Sequence, residues 1–316
     1  MVGPTAAGKS ALALELAGRF GLSILCCDSV QVYRGLDIGS AKPSAAERAQ
    51  APHALVDLVD PDVVFSAGDY ARAALPLVSA GPAIICGGTG LYLRTTALTS
   101  SGSAGEGPRS DDHGERRVAF EAGWEARERD EGGAVHRALA TRDPSTAAGI
   151  HVHNVRRALR ALWLCELHGE PISEVRRRDP PRLRMNLLML VVDPGVEAVD
   201  AAIDRRCEVM LTRGWLAEVE MLRARGYDSR HKAMRSLGYR ELLAHLRGET
   251  TLEEAVRDIK SATRKYARRQ RTYFRHQFRD LLPMAQIVHI AHPDACPNTR
   301  VEAFLSAPAP TAEVDS

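Results

Sequence analysis

Gly3 to Ser10 read GPTAAGKS, a G-x-x-x-x-G-K-S spacing that opens a helix. Backbone amides of such a loop converge on phosphate oxygens, the Lys9 ammonium neutralises their charge, and the Ser10 hydroxyl can ligate Mg²⁺. The helical context argues against a chance glycine-rich turn, but it does not make the ligand ATP. Nucleoside triphosphatases take a second metal contact from an Asp at the end of a buried strand, and here the run Ala83–Cys86 ends in Gly87-Gly88-Thr89. Asp28 closes the other apolar run, Leu22–Asp28. A carboxylate at a strand's carboxyl end faces the ligand crevice and can serve as a base. A turn or N-cap acid is the competing reading, and spacing does not choose between them.

A second constellation lies near the C-terminus. Arg264, Arg268, Arg271 and Arg275 recur at helical spacing, with Tyr266, Tyr273, Phe274 and Phe278 interleaved, so one face is expected to be basic and another aromatic. Salt bridges to acids elsewhere could absorb such a face. A second arginine cluster at 156–160 favours nucleic acid instead, two basic surfaces about one crevice making a phosphate-lined channel for RNA.

The elements that must position these groups follow from hydrophobic pattern. Ser10–Phe20 is a helix stopped by Gly21, and Leu22–Asp28, Pro82–Gly90 and Arg184–Asp193 are short continuous apolar runs typical of buried parallel strands. Their alternation with helices predicts a doubly wound α/β sheet of the P-loop NTPase kind, helices on both faces, with ligands at the strands' carboxyl ends. Only Met1 and Val2 precede Gly3. A strand of about five residues ordinarily feeds such a loop, so the first strand is expected to be truncated, its true start upstream or this copy degenerate. Thr99–Glu115 is rich in Ser, Gly and charge and predicts a mobile connection. Residues 1–100 would be the first part of the core, 101–184 a linker and an inserted all-helical domain, and 185–282 the return to the core with its basic helix. Helical stretches are expected at Val196–Arg225 and Thr251–Arg279, and 283–316 is expected to be a partly disordered tail.

Composition excludes more than it selects. With 45% hydrophobic and 26% charged residues and a formal net charge of +2, the chain is an ordinary globular protein. Residues 1–100 carry seven basic against eight acidic residues, whereas 255–280 carry nine against two, so basic character is local. The six cysteines, at 26, 27, 86, 165, 207 and 296, include no C-x-x-C pair and are read as buried reduced thiols. No apolar stretch is long enough to span a bilayer, and a cytoplasmic monomer is expected.

Taken in order, GPTAAGKS, DSVQVYRGLDIGSAKP, GGTGLYLR, RSLGYREL and ATRKYARRQRTYFR resemble the tRNA dimethylallyltransferase (isopentenyl-tRNA transferase) family over about residues 3–280. The resemblance implies transfer of a dimethylallyl group from dimethylallyl diphosphate to the exocyclic amine of the adenine 3′ of the tRNA anticodon, with Mg²⁺. By motif match, Gly3, Thr5, Ala6, Ala7, Gly8, Lys9 and Ser10 would hold the diphosphate with Arg235, and Ser10 the metal. Asp28 would be the general base, Thr89 would stand beside the reacting centre, and Lys9 would stabilise the leaving group. Asp28, Ser29, Val30, Gln31 and Thr89 would meet the flipped base, and Arg156, Arg157 and Arg160 the tRNA. The chain departs from the family at Ala54, at Val152, His153 and Asn154, and at Trp163, near tRNA contacts or turns. Adenylate isopentenyltransferases share the core motifs, a small-molecule P-loop kinase would share the loop, and an RNA-binding protein with a vestigial loop is the non-enzymatic alternative. The inserted helices and twin arginine clusters favour tRNA.

Overall fold

A computed structural model describes residues 1–99, 111–276, 285–292 and 295–307. The chain forms two compact units, one of 1–97 with 183–316 and one of Leu98–Arg182.

In the first unit, helix α1 (Lys9–Phe20) is followed by β1 (Ser23–Cys26), α2 (Ala45–Gln50), β2 (His53–Ala54), α3 (Ala67–Ser79), β3 (Ala83–Cys86) and α4 (Gly90–Ala97). Local chemistry sets the ends: Ser44 with Glu47 and Ser66 with Asp69 make capping boxes at α2 and α3. β1 pairs in parallel with β2 on one side and with β3 on the other. Successive residues of a strand point to opposite faces. Ile24 accordingly joins the cluster containing Leu12 and Leu16 of α1, while Cys27 beyond the strand meets Tyr70 of α3.

The second unit is helical throughout its described length: α5 (Asp111–Asp130), α6 (Ala134–Arg142), α7 (Pro144–Ala148), α8 (Val155–His168) and α9 (Ile172–Arg178). Its core gathers Val135, Leu139, Leu159, Leu162, Ile172 and Val175, with Phe120 and Trp124 packed against it. Asp143, 0% exposed, accepts from Thr146 and Ser173 through both backbone and hydroxyl, tying α7 to α9. Of the expected mobile connection, residues 100–110 lie outside the described residues, but from Asp111 the chain is helix rather than loop.

The chain then returns through β4 (Leu188–Val192), α10 (Val196–Thr212), α11 (Trp215–Ala224), a 3₁₀ turn Ala233–Arg235, α12 (Tyr239–Leu246), α13 (Leu252–His276), β5 (Gln286–Ile290) and α14 (Asn298–Ser306). β5 pairs in parallel with β4. Met1–Gly3 join the two sets of strands: Val2 N donates to Leu190 O at 2.9 Å, Val192 N to Val2 O at 2.9 Å, and Gly87 N to Met1 O at 3.1 Å. Residues 1–3 thus make a single bridge with Val191 rather than a ladder, and the parallel order runs β2-β1-β3-(residues 1–3)-β4-β5. Two expectations need correction. The stretch Val196–Arg225 is two helices, broken where Gly214 takes φ 96°, and the segment after 283 contains a paired strand and a helix, with Val301 and Ile290 in the core. Residues 308–316, the last part of that expected tail, lie outside the described residues.

Candidate functional site

The phosphate loop runs from Val2 into α1 against the end of β4. At Gly3 an added Cβ would lie 2.1 Å from the Val192 carbonyl oxygen, with φ at +146°. Gly8 takes the left-handed conformation (φ 86°) as N-cap of α1, and Ala6 holds φ 61° despite its side chain. Thr5 N donates to Gln270 Oε1 at 2.8 Å, and Gln270 Nε2 donates to the Gly88 carbonyl at 2.9 Å. A buried amide on α13 therefore joins the loop to the segment after β3.

Both strand-end residues come to the same place. Asp28 accepts from Val30 N (2.8 Å) and Gln31 N (3.4 Å) through Oδ1 alone. Both readings of Asp28 are thus compatible with its position: one oxygen shapes the turn, and among the described residues no hydrogen bond reaches the other. Thr89 Oγ1 accepts from Ser29 N at 3.1 Å, and Thr89 N donates to the Cys27 carbonyl at 3.2 Å.

Two adjoining cavities open over the loop. The first, about 110 Å³, is lined by Lys9, Ser10, Asp28, Gln31, His53 and Arg206 among others. The second, about 240 Å³, also reaches Thr5, Asp28 and Arg206, together with Ala6, Ser29 and Val30, and has an apolar wall of Ile203, Cys207, Met210, Leu237 and Ile259. Lys9 Nζ folds back to the Pro4 carbonyl at 2.6 Å, and burial pulls its pKa down to about 8. Burial likewise lowers that of Arg206, against the pull of the Asp28 charge. The Tyr266 phenol, beside Thr89 and Gln270, is pushed up to about 12 by burial and then by Asp28. Cys26 and Cys27 are pushed to about 12, first by burial, so these thiols stay protonated and supply no nucleophile. All six cysteines are free.

Arg206 and Gln270 are site residues that the sequence reading missed, and Tyr266 entered it only as part of an aromatic helix face. A signal existed for the first. Val199, Ile203 and Met210 of α10 are buried, and Arg206 falls on their stripe at helical spacing, a cation on an apolar face. Arg206 makes no hydrogen bond or ion pair among the described residues and lines both cavities. Arg235, by contrast, is exposed at the end of its 3₁₀ turn and lines neither cavity.

The basic stripe of α13 also needs correction. Arg264 Nη2 meets both oxygens of Asp204 at 2.5 and 2.6 Å, Arg268 meets Asp200 at 3.1 Å, and Arg271 makes a two-point pair with Asp193, 2.6 Å at each contact. The stripe fastens α13 to α10 and to the end of β4. The neighbouring stripe of the same helix, Ile259, Thr263, Tyr266 and Gln270, faces the cavities. Phe278 lies outside the described residues. The Lys42 side chain is buried, bonding the Tyr33 carbonyl, Asp37 and Asp57. In the helical unit Arg156, Arg157 and Arg160 are exposed on α8.

Residues 31–277 match the family described as IPP transferase, and residues 1–56 the one described as isopentenyl transferase. The chain is 44% identical over 284 residues to a tRNA dimethylallyltransferase of Geobacter metallireducens, covering 86% of this chain and 87% of that one. It is 38% identical over 280 residues to that of Pelotomaculum thermopropionicum, covering 87% and 86%. Among solved structures, the full-length tRNA isopentenylpyrophosphate transferase of Bacillus halodurans superposes with a TM-score of 0.62 at 31% identity, covering 96% of this chain and 92% of that one. A eukaryotic dimethylallyltransferase acting on tRNA superposes with a TM-score of 0.80 over 98% of this chain and 80% of that one; at 23% identity this likeness speaks to fold alone.

Proposed function

The chain belongs to the IPP transferase family, and from that premise we propose that its site transfers a dimethylallyl group from dimethylallyl diphosphate to the exocyclic amine of the adenine 3′ of a tRNA anticodon. The enzyme is a tRNA dimethylallyltransferase on a P-loop NTPase-like parallel sheet. One observation carries the assignment of the site: the phosphate loop, the cations Lys9 and Arg206, and the Asp28 carboxylate all line two adjoining cavities.

The residues divide the reaction between them. The diphosphate lies on the loop from Gly3 through Thr5, Ala6, Ala7 and Gly8 to Lys9 and Ser10. As it departs from the allylic carbon, negative charge grows on it, and Lys9, Arg206 and the loop amides stabilise that charge. The apolar wall of the second cavity takes the five-carbon group. The amine is a poor nucleophile because its lone pair is delocalised into the ring; Asp28 accepts its hydrogen bond and then its proton as the C–N bond forms. Thr89 holds the Asp28 turn through Ser29; it lines neither cavity, so its part is to position that turn. Reaching this site takes the base out of its stack, at about a few kcal/mol, returned by contacts with the flanking loop.

Among the described residues no cluster of three metal-ligating side chains exists. Ser10, at the cavity edge on the first turn of α1, is the protein group that fits Mg²⁺, an ion that keeps most of its ligands as water and phosphate oxygen. When bound, Mg²⁺ neutralises the leaving diphosphate. Arg156, Arg157 and Arg160 supply phosphate contacts for the anticodon arm, which favours tRNA over a free nucleotide. No helix among the described residues is long and apolar enough to cross a membrane. Because tRNA is its substrate, we place the enzyme in the cytoplasm, and we read it as a monomer.

The test is to incubate the chain with Mg²⁺, labelled donor and unmodified tRNA, with AMP and ATP in parallel, and to map the label by nucleoside mass spectrometry. Label on the adenine 3′ of the anticodon is expected. Label on AMP alone would move the reading to the free-nucleotide enzymes, and ATP turnover without prenyl transfer would make it a kinase.

A further inference from the structure

Glu218 on α11 is buried, 7% exposed, and belongs to none of the motifs that point to the site. Its carboxylate receives four donors. Oε2 accepts from Asp37 N (2.9 Å) and Ile38 N (2.6 Å), and Oε1 from Gly39 N (3.2 Å) and the Tyr239 hydroxyl (2.7 Å). Three consecutive backbone amides thus converge on one anion, a concave arrangement that backbone seldom holds without one. Packing adds to charge, because an added Cβ at Gly39 would lie 2.0 Å from Trp215 Nε1 on the same helix.

The pinned loop continues directly into the cavity wall. Gly39 and Ser40 line the second cavity, and Ser40 and Ala41 the first. Ser40 Oγ donates to the Leu36 carbonyl at 2.6 Å, and Ala41 is held at φ 49°. The carbonyls of Ser40 and Ala41 both accept from Gln31 Nε2, at 3.1 and 3.0 Å. With both amide hydrogens committed to the loop, the end of Gln31 left for a ligand is its carbonyl oxygen. An oxygen there accepts from the exocyclic amine of adenine and repels the carbonyl that a keto purine carries at the same position.

We propose that Glu218 is a positioning residue for base selection: by pinning loop 37–41 it fixes the Gln31 amide with its oxygen towards the acceptor base, and so makes the site prefer a purine with an exocyclic amine. The proposal rests on the tRNA reading above.

The experiment compares Glu218→Gln with the unaltered enzyme, measuring transfer to an anticodon stem-loop and inhibition by the same stem-loop carrying inosine at the acceptor position. Removing the anion is expected to raise KM for the stem-loop about 10-fold, the scale of one base contact. The donor KM should stay within about twofold, and the adenine-over-inosine preference should narrow by a similar factor. Gln31→Ala should narrow it equally, and the double variant no further, because both act through one contact. Tyr239→Phe, which leaves the loop amides pinned, should stay within about twofold of the unaltered enzyme on each readout. Should Glu218→Gln fail to fold, Glu218→Asp keeps the charge but withdraws it by one methylene, and the same narrowing is expected. Additive effects of Glu218→Gln and Gln31→Ala, or equal rises in both KM values with base preference intact, would reduce Glu218 to a structural residue. Failure of the unaltered enzyme to prenylate any stem-loop would instead overturn the tRNA reading.

Discussion

Raising the pH should loosen the donor while leaving the donor itself unchanged, because the cation that meets its leaving group is partly neutral already. Burial brings Lys9 down from 10.5 to about 8. A bound diphosphate gives the ammonium a counter-charge and returns its pKa towards the ordinary value, so binding is linked to proton uptake above pH 8. At pH 9 only about one Lys9 in eleven is protonated before binding, which weakens affinity about 10-fold relative to pH 7, or about 1.4 kcal/mol. At pH 9.5 the same arithmetic makes it about 30-fold. The donor's own last ionisation, with a phosphate pKa of about 6, is nearly complete above about pH 8, where the decline is expected. The assay is equilibrium binding of labelled dimethylallyl diphosphate with Mg²⁺ and no tRNA, from pH 6.5 to 9.5, for the unaltered chain and Lys9→Arg. The arginine stays charged throughout, so its affinity should be flat where that of the lysine falls. A flat curve for the lysine enzyme, or the same decline in both, would refute the assignment of Lys9 as the titrating phosphate ligand.

Arg206→Met should weaken donor binding by about 1.5–3 kcal/mol, the worth of a hydrogen bond to a charged group, while raising the melting temperature without donor, since a half-buried cation that makes no hydrogen bond or ion pair among the described residues is removed; calorimetry and donor binding read both. Gly3→Ala should cost at least about 1–3 kcal/mol from its left-handed φ alone, before the clash with Val192 O, and lower the melting temperature by roughly 5 °C or more. Asp193 is held below the usual carboxylate range chiefly by Arg271. Its stabilisation is therefore present above the unfolded carboxylate value and lost as pH falls through the depressed one, so Arg271→Leu should lower the urea midpoint at pH 7 more than at pH 3. Arg157→Ala should reduce the salt slope of tRNA binding by about one, whereas Arg268→Ala, whose charge is spent on Asp200, should leave it unchanged.

The parts of the site that lie within one turn or strand end were legible in the chain. A phosphate loop is a local spacing, and Asp28 and Thr89 follow apolar runs short enough to be buried strands, so their meeting over the loop follows from parallel strand order. Gln270 and Glu218 were not legible, because what they bond, Thr5 with Gly88 and the Asp37–Gly39 amides, is about 180 or more residues away along the chain. The arginine stripe of α13 misled for the same reason: its acids, Asp193, Asp200 and Asp204, belong to the end of β4 and to α10. Arg206 was readable in principle as a cation on an apolar stripe, yet it was overshadowed by the more familiar Arg235 motif. β5 was hidden by its setting, five residues with modest burial between a basic helix and a Pro-containing tail.

The central claim is that one carboxylate takes the amine's proton beside an independently built diphosphate cradle. Single-turnover transfer to tRNA by Asp28→Asn, with donor affinity measured on the same preparation, tests it most directly. Transfer slowed about 10²–10⁴-fold with donor affinity unchanged is the predicted result. Donor affinity lost together with transfer would make Asp28 part of the diphosphate or metal site and contradict its role as base.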